Sequence, residues 1–134
     1  MRQIVFILLL CSISSAKHLH KEKWYQEIFC SKMNSAIEYQ LKDKTRVDCL
    51  MENYAVEVDF ANKWAESIGQ SLFYGYMTGR APAILLIIED KYKDKKYLVR
   101  LKAVAEHENI TIWTIEPDQS VRLYFKPLKI TVDP

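Results

Sequence analysis

The chain has 134 residues, of which 49% are hydrophobic and 27% charged, with a formal net charge of +2. That length holds one domain with a substantial core and excludes two. The apolar content excludes a disordered chain, and the near-neutral balance excludes nucleic-acid binding driven by net charge alone.

Residues 1–16 read as a secretory leader, with Arg2 as the positive end, residues 4–10 as the apolar run and Ser14, Ser15 and Ala16 as a small-residue cleavage site. The run is too short to span a bilayer. The expectation is an exported chain, periplasmic or secreted, cut after Ala16, with one domain over residues 17–134 and no membrane attachment. A lipoprotein site at Cys11 is disfavoured because Leu10, not a small residue, precedes it. Without Arg2, 18 Lys and Arg face 17 Asp and Glu, leaving +1. Cys30 and Cys49 are then the remaining cysteines, which permits one disulfide in an oxidising compartment, with two buried free thiols as the alternative. Neither a C-x-x-C pair nor a zinc spacing is present.

In chain order, residues 18–33 form an amphipathic helix, with Trp24 and Ile28 beside Tyr25, Phe29 and Met33. Its acids, Glu22 and Glu27, read first as surface charges, and His18 and His20 as mobile residues of a new N-terminus. Residues 36–41 alternate as a strand that carries Glu38, followed by a polar turn at 42–45. A strand bearing Asp48 and a turn at 52–54 lead to a strand over 55–60. There Glu57 and Asp59 share one face while Val56, Val58 and Phe60 share the other. Hairpin pairing brings Asp48 to the same surface. A helix over 62–78 follows, stopped by Gly79 with Pro82 just beyond. Trp64, Ala65, Ile68, Leu72 and Tyr76 form its expected core stripe, and Lys63, Gln70 and Tyr74 a polar line aimed towards the carboxylates.

The apolar run AILLII at 83–88 fits a strand buried on both faces. A helix over 94–107 and a strand over 110–115 make a parallel crossover, and a tail strand over 121–132 is limited by Pro127. The expected fold is a single α/β domain in which a mixed sheet, part antiparallel hairpin and part parallel, is flanked by helices.

Clustered carboxylates repel unless a cation joins them, and oxygen ligands favour Mg²⁺ first and Mn²⁺ second. Asp48, then Glu57 on the next strand, then a helix carrying QSLFY from Gln70 to Tyr74, resembles the PD-(D/E)XK nuclease superfamily, in particular its RecB-like branch with a Q-x-x-x-Y helix. The resemblance implies a restriction-endonuclease-like fold and metal-dependent hydrolysis of nucleic acid, DNA ahead of RNA, with Asp48 and Glu57 as metal ligands. Asp59 stands where the family has its lysine, as a further ligand or a residue orienting water. Lys63 is the nearest lysine to replace the missing one, Gln70 and Tyr74 orient the nucleotide or the site, and Glu22 or Glu27 fills the upstream helix-acid role. Lys95, Lys96 and Arg100, within a basic run from Lys91 to Lys102, then contact phosphates. A homodimer is compatible with this plan. The rival reading keeps the fold without catalysis, as a binding module for nucleic acid or a protein partner. A third, a disulfide-stapled secreted protein without a nucleic-acid role, rests on Cys30 and Cys49 alone.

Overall fold

The computed structural model describes residues 17–128, so the leader expected in residues 1–16 and the end of the tail at 129–134 lie outside the described residues. Helix α1 (Glu22–Lys32) precedes β1 (Ala36–Gln40), β2 (Arg46–Leu50) and β3 (Tyr54–Phe60). A 3₁₀ turn (Ala61–Lys63) leads into α2 (Trp64–Thr78), followed by β4 (Ala81–Ile87), α3 (Lys91–Glu108), β5 (Thr111–Ile115) and β6 (Val121–Phe125). The strands form one sheet in sequence order. Strands joined by short turns pair antiparallel, and those joined through a helix, β3 with β4 and β4 with β5, pair parallel. This is the expected mixed α/β domain. No helix among the described residues is long and apolar enough to cross a membrane.

Alternation on β3 and β4 divides the core in two. Val56, Val58, Phe60, Leu85 and Ile87 pack with Tyr25 and Phe29 of α1. Ile84, Leu86 and Ile112 pack on the other face with Leu101 and Ala105 of α3. Cys30 on α1 is bonded to Cys49 on β2, with Cα atoms 5.6 Å apart, so the first helix is covalently tied to the antiparallel half of the sheet.

Helix α2 buries a different face from the expected one. Its buried residues are Ser67, Ser71, Tyr74 and Gly75. Trp64, Ile68 and Leu72 flank that face and pack against the second core, whereas Ala65 is exposed and Tyr76 is 85% exposed. Small residues win because they let the helix backbone approach the sheet closely. Ser67 and Ser71 return their hydroxyls to the carbonyls of Trp64 and Ile68, so no polar group is stranded. At Gly75 the approach is at its limit, since an added Cβ would stand 3.1 Å from the Arg80 carbonyl oxygen and 3.2 Å from Pro82 Cβ. Gly75→Ala is therefore expected to cost about 1–3 kcal/mol. Gly69→Ala, on the same helix with nothing within 4 Å of its Cβ, is expected to stabilise by up to about 1 kcal/mol. Thermal melts of the two variants should move in opposite directions.

Several boundaries differ from the sequence reading, among them the start of α1 at Glu22, not residue 18, and of α2 at Trp64, not residue 62. Helix α3 begins at Lys91, not residue 94, because Asp90 caps it, accepting from the backbone N–H groups of Tyr92 and Lys93 at 3.0 and 3.1 Å. Strand β4 begins at Ala81, not residue 83, so Pro82, just beyond α2 as expected, is its second residue, before pairing with β5 starts at Ala83. Strand β6 ends at Phe125, ahead of Pro127.

Within β1, Glu38 has φ of +51°, a left-handed backbone in mid-strand. It sits between the pairs Ile37↔Cys49 and Tyr39↔Val47, opposite Asp48.

Candidate functional site

Paired residues of β2 and β3 are Leu50↔Ala55 and Cys49↔Val56. One step further along, a side chain takes over the ladder, and Asp48 Oδ2 accepts the Val58 N–H at 2.7 Å. The carboxylate is thereby fixed in the seam between the strands, next to Glu57 and Asp59, which are each only 5% exposed. Glu22 reaches the same seam from α1, where its carboxylate is hydrogen-bonded to Asp59. Three elements, α1, β2 and β3, thus deliver four acids to one place.

A residue that sequence reasoning missed helps to close the seam. Gln26, one turn after Glu22 and 3% exposed, donates to Glu38 Oε1 at 2.9 Å and to the Asp48 carbonyl at 3.1 Å. The i, i+4 spacing of Glu22 and Gln26 was the available signal, since it puts both on one helix face.

Burial without enough compensating charge drives these carboxyls towards their protonated forms. Asp48 is raised to about 6, chiefly by burial, against the opposing Val58 hydrogen bond. Glu57 is pushed to about 10 by burial and by the neighbouring Asp48 and Asp59, and as the protonated partner it donates to Asp48. Asp59 is raised to about 7 by burial and by Glu22, partly offset by Lys63. Glu22 is itself raised by burial, with Lys63 opposing. The site consists of two carboxyl pairs, Asp48 with Glu57 and Glu22 with Asp59, in each of which burial and like charge favour sharing a proton.

A carboxyl that binds its proton more tightly in the folded chain stabilises the fold in acid. That contribution fades as pH rises from the ordinary 3.8 of an aspartate through about 6 and 7. The metal-free protein should accordingly melt higher at pH 5 than at pH 8. Each tenfold gain in proton affinity is worth about 1.4 kcal/mol, so a loss of several degrees is expected on denaturation scans in EDTA.

The expected polar line of α2 is only partly realised. Lys63 is exposed, in the 3₁₀ turn before the helix, and its charge acts on Asp59 and Glu22. Tyr74 is 8% exposed, packed with Val47 and Ala55. Burial, followed by the charges of Glu57 and Asp48, holds its hydroxyl proton to about 12. Gln70 is exposed on the solvent side of α2, because the helix is turned to seat Ser67 and Ser71. Of the remaining acids, Glu27 is exposed and pairs with Lys23 at 3.7 Å. Lys95, Lys96 and Arg100 are exposed on α3.

The histidines expected to be mobile are held. His18 stacks on Phe60 with ring centroids 3.5 Å apart, and its Nδ1 lies 2.8 Å from Glu89 Oε2. His20 stacks on Trp24. Glu89, at the end of β4, also accepts the Leu19 N–H at 3.0 Å and the Tyr25 hydroxyl at 2.7 Å. Burial alone would raise Glu89, but hydrogen bonds from Tyr25 and His18 outweigh it and keep the carboxyl below its ordinary range. Sequence reading passed over this residue because its partners lie 64 to 71 positions away.

Among the described residues, no group of three His, Cys, Asp or Glu side chains stands in a ready-made coordination arrangement. No family model, no curated protein and no solved structure matches the chain.

Proposed function

We propose that this chain is a metal-dependent phosphodiester hydrolase of nucleic acid, DNA ahead of RNA, built on the plan of the PD-(D/E)XK superfamily. The observation that carries this reading is the convergence of Glu22, Asp48, Glu57 and Asp59 in the β2/β3 seam. An all-oxygen donor set of this kind suits Mg²⁺ or Mn²⁺, which would take the place of the protons shared within each pair. Asp48 and Glu57 would hold the ion, with Asp59 beside them. When bound, it lowers the pKa of a water and offsets charge on the scissile phosphate.

The chain's own groups supply the rest. The Val58 N–H fixes one oxygen of Asp48 and so orients the carboxylate before any ligand arrives. Asp59 provides no positive charge at the position where the superfamily has lysine. Lys63 would provide it instead, since its charge already acts on Asp59 and Glu22 and would oppose negative charge developing in the same seam. Tyr74, neutral up to about 12, keeps its proton for donation to a phosphate oxygen. Lys95, Lys96 and Arg100 would contact the nucleic-acid backbone outside the seam, where exposed Gln70 also lies.

The second reading, a binding module that retains the fold without hydrolysis, is favoured by one observation, the carboxylate of Asp59 in place of that lysine. Labelled single- and double-stranded DNA and RNA, incubated with the purified protein in Mg²⁺, Mn²⁺ or EDTA, separate the two. Cleavage in metal and none in EDTA is the expected result. Retention of substrate without product in either metal would leave the binding module.

A further inference from the structure

A cleft of about 370 Å³ lies between β1 and the end of α2, with Tyr39, Leu41, Lys42, Leu50, Met77 and Arg80 in its wall. Among the described residues that wall contains Lys42 and Arg80 as its charged groups and no carboxylate. Neither cation belongs to an ion pair among the described residues. Arg80 donates to the Met51 carbonyl, which anchors the guanidinium without neutralising it. Asp43, the residue after Lys42, stays outside the wall, where its carboxylate accepts the Thr45 N–H at 3.0 Å and the Thr45 hydroxyl.

The cleft adjoins the carboxyl seam. Tyr39 pairs with Val47, the residue before Asp48. Leu41 and Leu50 of the wall pack in one cluster with Tyr74, on which the charges of Glu57 and Asp48 act. A half-exposed ring therefore stands one strand position from the seam, over a floor of Leu50 and Met77. Glu57 and Asp59 are themselves almost fully buried, so a phosphate has to enter a recess to reach them. A single strand bends into a recess, whereas a duplex is stiff over about 150 base pairs.

Resting on the hydrolysis proposed for the seam, we propose that this cleft is its specificity subsite: it takes an unpaired base of the strand held there, stacked on Tyr39, with the adjoining phosphate towards Lys42 and Arg80. Single strands are then the favoured substrate. Every base has a face that stacks on an aromatic ring, so the subsite selects unpaired strands without selecting a sequence.

Anisotropy titrations of the full domain with a labelled strand of about twelve nucleotides, or with its duplex, in EDTA and in Ca²⁺, read the subsite without hydrolysis. The strand is expected to bind at least tenfold more tightly than the duplex. Tyr39→Ala, at a half-exposed position and expected to keep the melting temperature, should erase that advantage, and Tyr39→Phe, which keeps the ring, should retain it. Lys42→Ala should flatten the salt dependence of strand binding. In Mg²⁺, Tyr39→Ala should raise KM for the single strand and leave kcat unchanged. Equal binding of strand and duplex, undiminished strand binding in Tyr39→Ala, or no binding of either form would overturn the subsite, even if the seam cuts. A Tyr39-dependent preference for the strand with no cleavage in Mg²⁺ or Mn²⁺ would uphold the subsite and overturn hydrolysis alone.

Discussion

Asp48→Asn and Glu57→Gln are each expected to lower metal-dependent cleavage by about 10³-fold, the scale seen when one preorganised charge-stabilising group is removed from an active site. Both variants should fold. In EDTA they should be at least as stable as the parent, because each replaces a carboxyl whose burial and like-charged neighbours oppose ionisation. Metal should reverse the ranking. A ligand that binds only the folded state stabilises it by RT ln(1 + [L]/Kd), about 2.7 kcal/mol at one hundred times Kd, and the variants should lose that increment. Melting curves with and without Mn²⁺ measure it without any substrate. Asp59→Lys should be tolerated, since it restores the superfamily's usual residue beside Glu22, whereas Lys63→Ala should sharply reduce cleavage. Full activity in Lys63→Ala would remove that lysine from the mechanism, and equal metal responses in all proteins would remove Asp48 and Glu57 as ligands.

The second large effect is expected from the bond between Cys30 and Cys49. It closes a loop with a sequence separation of 19 residues, for which chain-entropy arguments give about 3 kcal/mol. In a domain of this size, Cys30→Ala with Cys49→Ala should lower the melting temperature by about 10 °C. The consequence is local as well as global, because the bond holds α1 against β2 within a few residues of Gln26, Glu22 and Asp48. Hydrogen exchange should therefore show α1 opening before the parallel strands in the variant. A uniform loss of protection over the whole chain would contradict this division of the fold.

The parts of the fold legible in the sequence are those in which one face differs chemically from the other. Strand β3 is the clearest case, because Glu57 and Asp59 alternate with Val56, Val58 and Phe60, and the two sets do separate, the second into the core beneath α1. The AILLII run likewise reads directly as a strand covered on both sides. Helix α2 departs from its apolar pattern for a physical reason. Hydrophobic patterning assumes that the largest apolar side chains go inward, but here the helix comes so close to the sheet that Ser67, Ser71 and Gly75 occupy the contact and Tyr76 is turned to solvent. The convergence of Asp48 with Glu57 needed only hairpin pairing, which short turns announce. The contributions of Gln26 and Glu89 depend on contacts between elements that no local pattern encodes.

The backbone of Glu38 has an effect at the rim of the molecule as well as at the seam. Strand β1 is an outer strand, exposed along its whole length, with Ile37 and Tyr39 left 41% and 47% accessible. A straight, apolar outer strand is a template on which a second chain can add itself, and repetition of that event leads to fibres. The left-handed turn at Glu38 interrupts the row of backbone donors and acceptors midway and places a charge there. The same distortion that sets an acid opposite Asp48 thus blunts the outer strand against pairing with a second copy of the chain.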